Sequence, residues 1–188
     1  MKNILFLVLF IASSLFGLQR EEIVPIMTSK INKATEILRN KNNLSIEEKA
    51  KKIFSMLDEV FDYALMARLS LGKTNWKALN KSQKKEFIRR FKEHLKRSFM
   101  DKLVLYKDEK TEILELKKYK KNRLWLVTQL IGNKNKYKIV YKFYKSKKSG
   151  WMVYDLNIAG VSLIQTYRVQ FSDALKSGTF EDLLKKLK

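Results

Sequence analysis

Residues 150–171 read GWMVYDLNIAGVSLIQTYRVQF and contain no lysine, in a chain of 188 residues whose 40 lysines and arginines against 19 acids give a formal charge of +21. The stretch divides at Gly160. Before it, Trp151 and Val153 populate one side of an extended segment and Met152, Tyr154, Leu156 and Ile158 the other. A strand apolar on both sides is covered on both sides. After Gly160, Ser162 can cap a helix that carries Leu163, Ile164, Tyr167, Phe171 and Leu175, and Gly178 ends it.

Upstream of this strand the period is also two. Residues 111–117, 123–131 and 136–145 are β-rich and separated by Lys/Asn/Gly/Ser clusters, so with 151–158 they predict a four-stranded antiparallel meander. Tyr137, Ile139, Tyr141 and Phe143 line one face of the third strand. Before residue 111 the spacing is helical. Residues 21–40 place Ile23, Val24, Met27, Ile31, Ala34 and Leu38 on one face. Ser45 with Glu48 forms a capping box, and the stripe Phe54, Leu57, Phe61, Leu65 continues that second helix to Gly72. Asn80 or Ser82 opens the longest helix, where Phe87, Phe91, Leu95, Phe99 and Leu103 recur every four residues among Lys84, Lys85, Arg89, Arg90, Lys96 and Arg97. Thr179 with Asp182 caps a short terminal helix. Helices, then sheet, then helices make one α+β domain at this length.

The N-terminus has a positive start (Met1, Lys2) and an uncharged run over 3–19 that closes in small residues. This is a secretory signal layout, and its apolar centre, 4–18, is shorter than the roughly 20 residues of a spanning helix. The division expected is a signal peptide over 1–17, with cleavage after Ser14 as the alternative, and a single domain over 18–188. An uncleaved membrane anchor is the other reading of the same run. Cysteine is absent, which excludes disulfides, thiolate chemistry and a lipid-modified N-terminal cysteine.

An exported envelope hydrolase and an exported polyanion-binding protein are the alternative readings, and the first is opposed by the lack of any catalytic constellation. His94 is the only histidine and has no cysteine or second histidine with which to share a metal. The six glycines fall at breaks and form no phosphate-cradling loop. Ser162 lacks the glycine flanks of a nucleophile elbow and reads as a cap. Asp58 and Asp62, four apart beside an apolar stripe, have the spacing for general acid/base work but read first as a solvated helix edge. The basic runs 84–97, 117–123 and 134–148 fit a lysine-rich solvated surface or a face that docks on a membrane or an acidic partner. An export signal opposes nucleic acid, for which Tyr119, Tyr141 and Tyr144 would supply stacking.

Two lysine-poor stretches carry a resemblance. FDYALMARLSLGKTNWKALNKSQKKEF (61–87) resembles the pattern Phe-(Asp/Glu)-Tyr, Leu-Gly, aromatic, Gln, Phe. The stretch 150–171 resembles Gly-Trp-x-Val-Tyr-Asp, Glu-Gly-Val-Ser-Leu, Tyr-Arg-x-Gln-Phe. Both are signatures of the MlaC family of periplasmic phospholipid carriers, also called the toluene-tolerance auxiliary family, of Gram-negative bacteria. One departure is Ala159, where the family has an acid before the glycine.

The resemblance implies a twisted four-stranded antiparallel sheet packed with helices around a deep apolar pocket for acyl chains. It implies no enzyme and no cofactor, with bound phospholipid as cargo. The partners implied are an inner-membrane ABC transporter complex with its substrate-binding MCE-type subunit and an outer-membrane lipoprotein–porin complex, between which lipid is shuttled to maintain outer-membrane asymmetry. Tyr63, Met66, Phe91, Leu95, Phe99, Leu103, Tyr141, Phe143, Val153, Tyr154, Val161 and Ile164 are the candidate pocket residues, each equally at home in a plain core. Lys84, Lys85, Arg89 and Arg90 are the candidate docking surface.

Overall fold

A computed structural model describes residues 17–40, 44–103, 106, 108–133 and 135–187, so the expected signal segment, Gly17 apart, lies outside the described residues. The order of elements is α1 (Ile23–Arg39), α2 (Ile46–Asp58), α3 (Tyr63–Leu71), α4 (Lys73–Ala78), α5 (Lys81–Leu103), β1 (Lys110–Lys120), β2 (Arg123–Ile131), β3 (Lys136–Ser146), β4 (Gly150–Ile158), β5 (Val161–Ser162), α6 (Leu163–Ser177) and α7 (Phe180–Lys186). No described helix is long and apolar enough to cross a membrane.

Local side-chain chemistry sets several helix starts. Ser45 Oγ accepts from the Glu48 N–H at 3.2 Å while the Glu48 carboxylate accepts from the Ser45 N–H at 2.8 Å. Thr179 and Asp182 repeat the arrangement at α7. Asn80 and Gln83 exchange the same pair of bonds ahead of α5. Each such cap contributes about 1 kcal/mol.

The helix expected to run from Ser45 to Gly72 is two helices. Its stripe is broken because Phe61 lies as a parallel bridge beside Val153 of β4. There the Val153 N–H donates to the Val60 carbonyl at 2.8 Å and the Asp62 N–H donates to the Val153 carbonyl at 2.9 Å. The Asp62 carboxylate then caps α3 by accepting from the Leu65 N–H at 2.8 Å.

The sheet is an open antiparallel meander in the order β1-β2-β3-β4-β5, four long strands plus a two-residue fifth that the sequence reading does not contain. A bulge in β4 changes which residues share a face. Lys142 pairs with Asp155 but Phe143 pairs with Val153, so Tyr154 is the extra residue. Trp151, Val153, Leu156 and Ile158 therefore lie together on the inner face, rather than alternating as strict period two requires. β1 carries two further irregularities, at Leu114 and at Tyr119. The outer edge of β4 is occupied by Leu18 beside Gly150, by Phe61 beside Val153, and by β5. At Gly150, with φ +64, an added Cβ would lie 2.4–2.6 Å from the backbone of Gly17 and Leu18, so this strand start admits only glycine.

The hairpin joining β4 to β5 turns through Ala159 (φ +50) and Gly160 (φ +91), two successive left-handed residues. That is the turn for which Asn-Gly is favoured, and alanine there is strained. Ala159→Asn is expected to raise the unfolding free energy by about 0.5–1 kcal/mol, read as a higher urea midpoint at unchanged slope. A neutral or destabilising result contradicts the assignment of the turn.

The core forms between the inner face of the sheet and α3, α5 and α6. Phe87, Phe91, Met66, Leu126, Phe143 and Val153 are fully buried in it. Rings interlock at its centre, with Phe91 edge-on to Tyr167 at 5.4 Å and Phe87 edge-on to Phe171 at 5.7 Å. Each such side chain contributes about 1.5–3 kcal/mol by burial.

Candidate functional site

Cross-strand rows define the inner face. One runs Leu116, Leu126, Tyr141, Leu156 and the next Ile113, Thr128, Ile139, Ile158. Opposite them stand Met66 of α3, Phe91, Leu95 and Phe99 of α5, and Ile164 of α6, all in one apolar cluster. Depth varies along it. Met66, Phe91, Leu95, Phe143, Val153 and Ile164 are closed off from solvent, whereas Ile113, Leu116, Tyr141, Phe99 and Tyr63 are half-buried against the same cluster. Burial pushes the Tyr141 phenol up to about 12, and the hydroxyl has no hydrogen-bond partner among the described residues. Leu103 and Tyr154 are half-buried outside the cluster, Tyr154 lying edge-on to Tyr144 at 6.0 Å with the Arg123 guanidinium over its ring. Val161, in β5, is 62% exposed and is not brought to the others. Ile113 and Leu116 were not among the sequence candidates, and being three apart they share the inner face only through the irregularity at Leu114, which strict alternation does not foresee.

Three carboxylates fix the frame around this face. Asp155, 4% exposed, accepts from Lys142 Nζ at 2.7 Å, from Ser162 Oγ at 2.8 Å and from the Ile164 N–H at 3.1 Å, tying the outer side of β3 and β4 to the start of α6. Ser162 Oγ also accepts from the Gln165 N–H at 3.2 Å, so its hydroxyl is fully used as a cap. Asp62 accepts from the Tyr144 hydroxyl. Asp58 accepts from Tyr63 Oη at 2.9 Å and from Lys92 and Lys96 at 2.8 Å each, joining α2, α3 and α5.

Burial alone would raise the Asp58 carboxyl, but hydrogen bonds from Lys92, Lys96 and Tyr63 outweigh it and hold the group below its ordinary range. Burial and the Asp58 acceptor push the Tyr63 phenol up. Because the folded carboxyl is the stronger acid, its contribution is complete above the unfolded value of about 4 and is lost as pH falls through the folded value. Asp58→Asn is therefore expected to cost about 1–3 kcal/mol at neutral pH, with the gap from the parent chain closing as pH drops below about 4. Urea titrations across that interval check it, and a gap that widens toward acid refutes it.

The four candidate docking cations are not equivalent. Arg89 is held by Glu86 at 2.7 Å and Glu93 at 2.9 Å. Arg90 bonds Glu86 at 2.5 Å and the Leu184 carbonyl at 3.1 Å, so it fastens α7 to α5. Lys84 lies over the Trp76 ring, 5.8 Å from its centroid. Lys85 is exposed and unpaired among the described residues.

Among the described residues no group of His, Asp or Glu could hold a metal ion. His94 packs edge-on to Tyr167 at 5.7 Å, where burial and Arg97 lower its pKa. Two open depressions among the described residues lie away from the sheet. One, of 390 Å³, surrounds Gly72, Thr74, Arg168 and Ser172, and the other, of 480 Å³, lies between Ser29, Lys33 and Met56.

The family model described as MlaC protein matches residues 28–188. No curated protein matches the chain. Among solved structures, the chain is similar to a phospholipid-binding protein from Ralstonia solanacearum in complex with a phospholipid, at 21% identity over 87% of this chain and 93% of that one, with a TM-score of 0.72. At that identity the likeness establishes a shared fold.

Proposed function

The chain belongs to the MlaC family, and from that premise we propose that it is a phospholipid carrier that holds acyl chains against the inner face of the sheet. Tyr141 supports this most directly. It stands in the inner-face row with Leu116, Leu126 and Leu156, half-buried against the apolar cluster, and its hydroxyl is unpaired among the described residues. Ile113, Leu116, Phe99 and Tyr63 share its half-buried state, so the inner face keeps apolar surface that is not fully closed over, as an acyl-chain site requires. Phospholipid bound on the same fold in the Ralstonia protein agrees with this.

The chemistry is burial rather than bond making. At about 0.8 kcal/mol per CH₂, two acyl chains represent on the order of 20 kcal/mol that open water would forfeit. Such a site replaces the bilayer, and transfer is an exchange between apolar environments whose direction follows the partners' relative affinities. Residues 1–17 direct the chain to the periplasm. There it shuttles lipid between the outer-membrane lipoprotein–porin complex and the MCE-type subunit of the inner-membrane transporter, maintaining outer-membrane asymmetry. The basic face of α5, with Lys84, Lys85, Arg89 and Arg90, meets these partners. Organic extraction of the natively purified chain followed by mass spectrometry tests the carrier reading. Phospholipid in near one-to-one amount is expected, and a chain that carries none and takes none up from vesicles overturns it.

A further inference from the structure

The hairpins carry the largest share of this chain's positive charge, and fewer of their cations than of those on α5 are held in ion pairs among the described residues. Residues 110–148 hold thirteen cations and two acids, a net +11 and more than half of the total of +21. On α5, Arg89, Arg90, Lys92 and Lys96 are all in ion pairs. On the hairpins, among the described residues, only Lys117 and Lys142 are.

Register sorts these charges. The outer face of the sheet carries the rows Lys120, Arg123, Tyr144; Lys117, Trp125, Lys142; and Lys110, Ile131, Lys136, with Lys138 opposite Gln129. Lys117 is 57% exposed, Lys120 is exposed with its ammonium 5.5 Å from the centroid of the Tyr119 ring, and Lys120, Lys136 and Lys138 make no ion pair among the described residues. Tyr119, 51% exposed, stacks on Trp125 at 4.3 Å, so the cations surround an aromatic platform.

We propose that this outer face docks the protein on an anionic lipid bilayer surface. Charge density opposes a second copy of the chain as occupant, since two such faces would repel. Base stacking of a nucleic acid needs free ring faces. Here Trp125 lies between Tyr119 and Lys142, and Arg123 stands over both Tyr144 and Tyr154. Twelve of the thirteen cations are lysines, compact charges on flexible stems that match a diffuse layer of phosphates better than the fixed fork of arginine does. Exposed Tyr119, backed by the covered Trp125, suits the headgroup level of a membrane. The face lies across the sheet from the proposed acyl-chain site, so docking does not depend on that site being occupied.

The test is cosedimentation of the purified chain with vesicles of about one-third phosphatidylglycerol in phosphatidylcholine, and with pure phosphatidylcholine. Binding to the anionic vesicles alone is expected, weakening as salt shortens the screening length. Lys120→Glu/Lys136→Glu/Lys138→Glu should lose on the order of a hundredfold in affinity, while Lys51→Glu/Lys52→Glu/Lys77→Glu, with the same net charge, should lose less than about threefold. Equal loss in the two variants assigns binding to bulk charge and overturns the proposal, as does undiminished binding by the first. Tighter binding of a single-stranded oligonucleotide than of anionic vesicles at the same salt overturns it in favour of nucleic acid. Lipid extracted from the first variant should match the parent chain, which keeps this outcome separate from the carrier reading.

Discussion

Asp155→Ala is expected to lower the unfolding free energy by about 3–5 kcal/mol. The side chain is 4% exposed, and its three donors are a lysine ammonium, a hydroxyl and a helix-start N–H. Removing the carboxylate strands the Lys142 ammonium, whose side chain is 18% exposed, without its counter-charge, and frees the first turn of α6. For a chain of this length such a loss shifts the melting temperature by about 10–15 °C. Lys142→Met/Asp155→Leu should recover part of it, because a buried pair replaced on both sides costs less than one broken on one side. A melting temperature unchanged by Asp155→Ala would show that the group is hydrated and the ties are loose.

Leu116→Trp is expected to reduce phospholipid affinity by about ten- to hundredfold while leaving thermal stability nearly unchanged. Leu116 is half-buried on the inner face in the row of Tyr141. An indole placed there costs about 1–3 kcal/mol of overpacking only in the state that fills the space beside it. If that state is lipid-bound, the cost appears in partitioning of labelled phospholipid between protein and acceptor vesicles. If Leu116 instead sits against ordinary core, the same cost appears as a lower melting temperature with partitioning unaltered, and the acyl-chain assignment of this row fails.

What could be read from the residues was whatever local chemistry decides. Ser45 with Glu48, Thr179 with Asp182 and Ser162 announce helix starts because donor and acceptor are three residues apart. Period two announced the four long strands. The break at Phe61 was not legible, since its cause is the backbone of Val153, ninety-two positions away. Neither was the β4 bulge, which moves Leu156 and Ile158 to the side of Val153. For the candidate site, periodicity reports a face but not a depth. It grouped Met66 and Phe143, which are sealed, with Tyr141 and Phe99, which are not, and with Val161, which stands in solvent. It also ranked Lys85 with Arg90, although one is free among the described residues and the other fastens a helix.

The borders of the sheet have a consequence for the fate of the chain at high concentration. An unpaired strand edge is a template on which another polypeptide can add, the first step toward cross-β polymers. Along β4 that template is already consumed by the chain's own segments at Leu18, Phe61 and β5. Along β1, eleven residues long, it is interrupted by irregularities at Leu114 and Tyr119 and studded with Lys117, Lys118 and Lys120. Neither border offers a straight uncharged run to a second molecule, so a protein that uses no disulfide resists polymerisation through the shape of its edges.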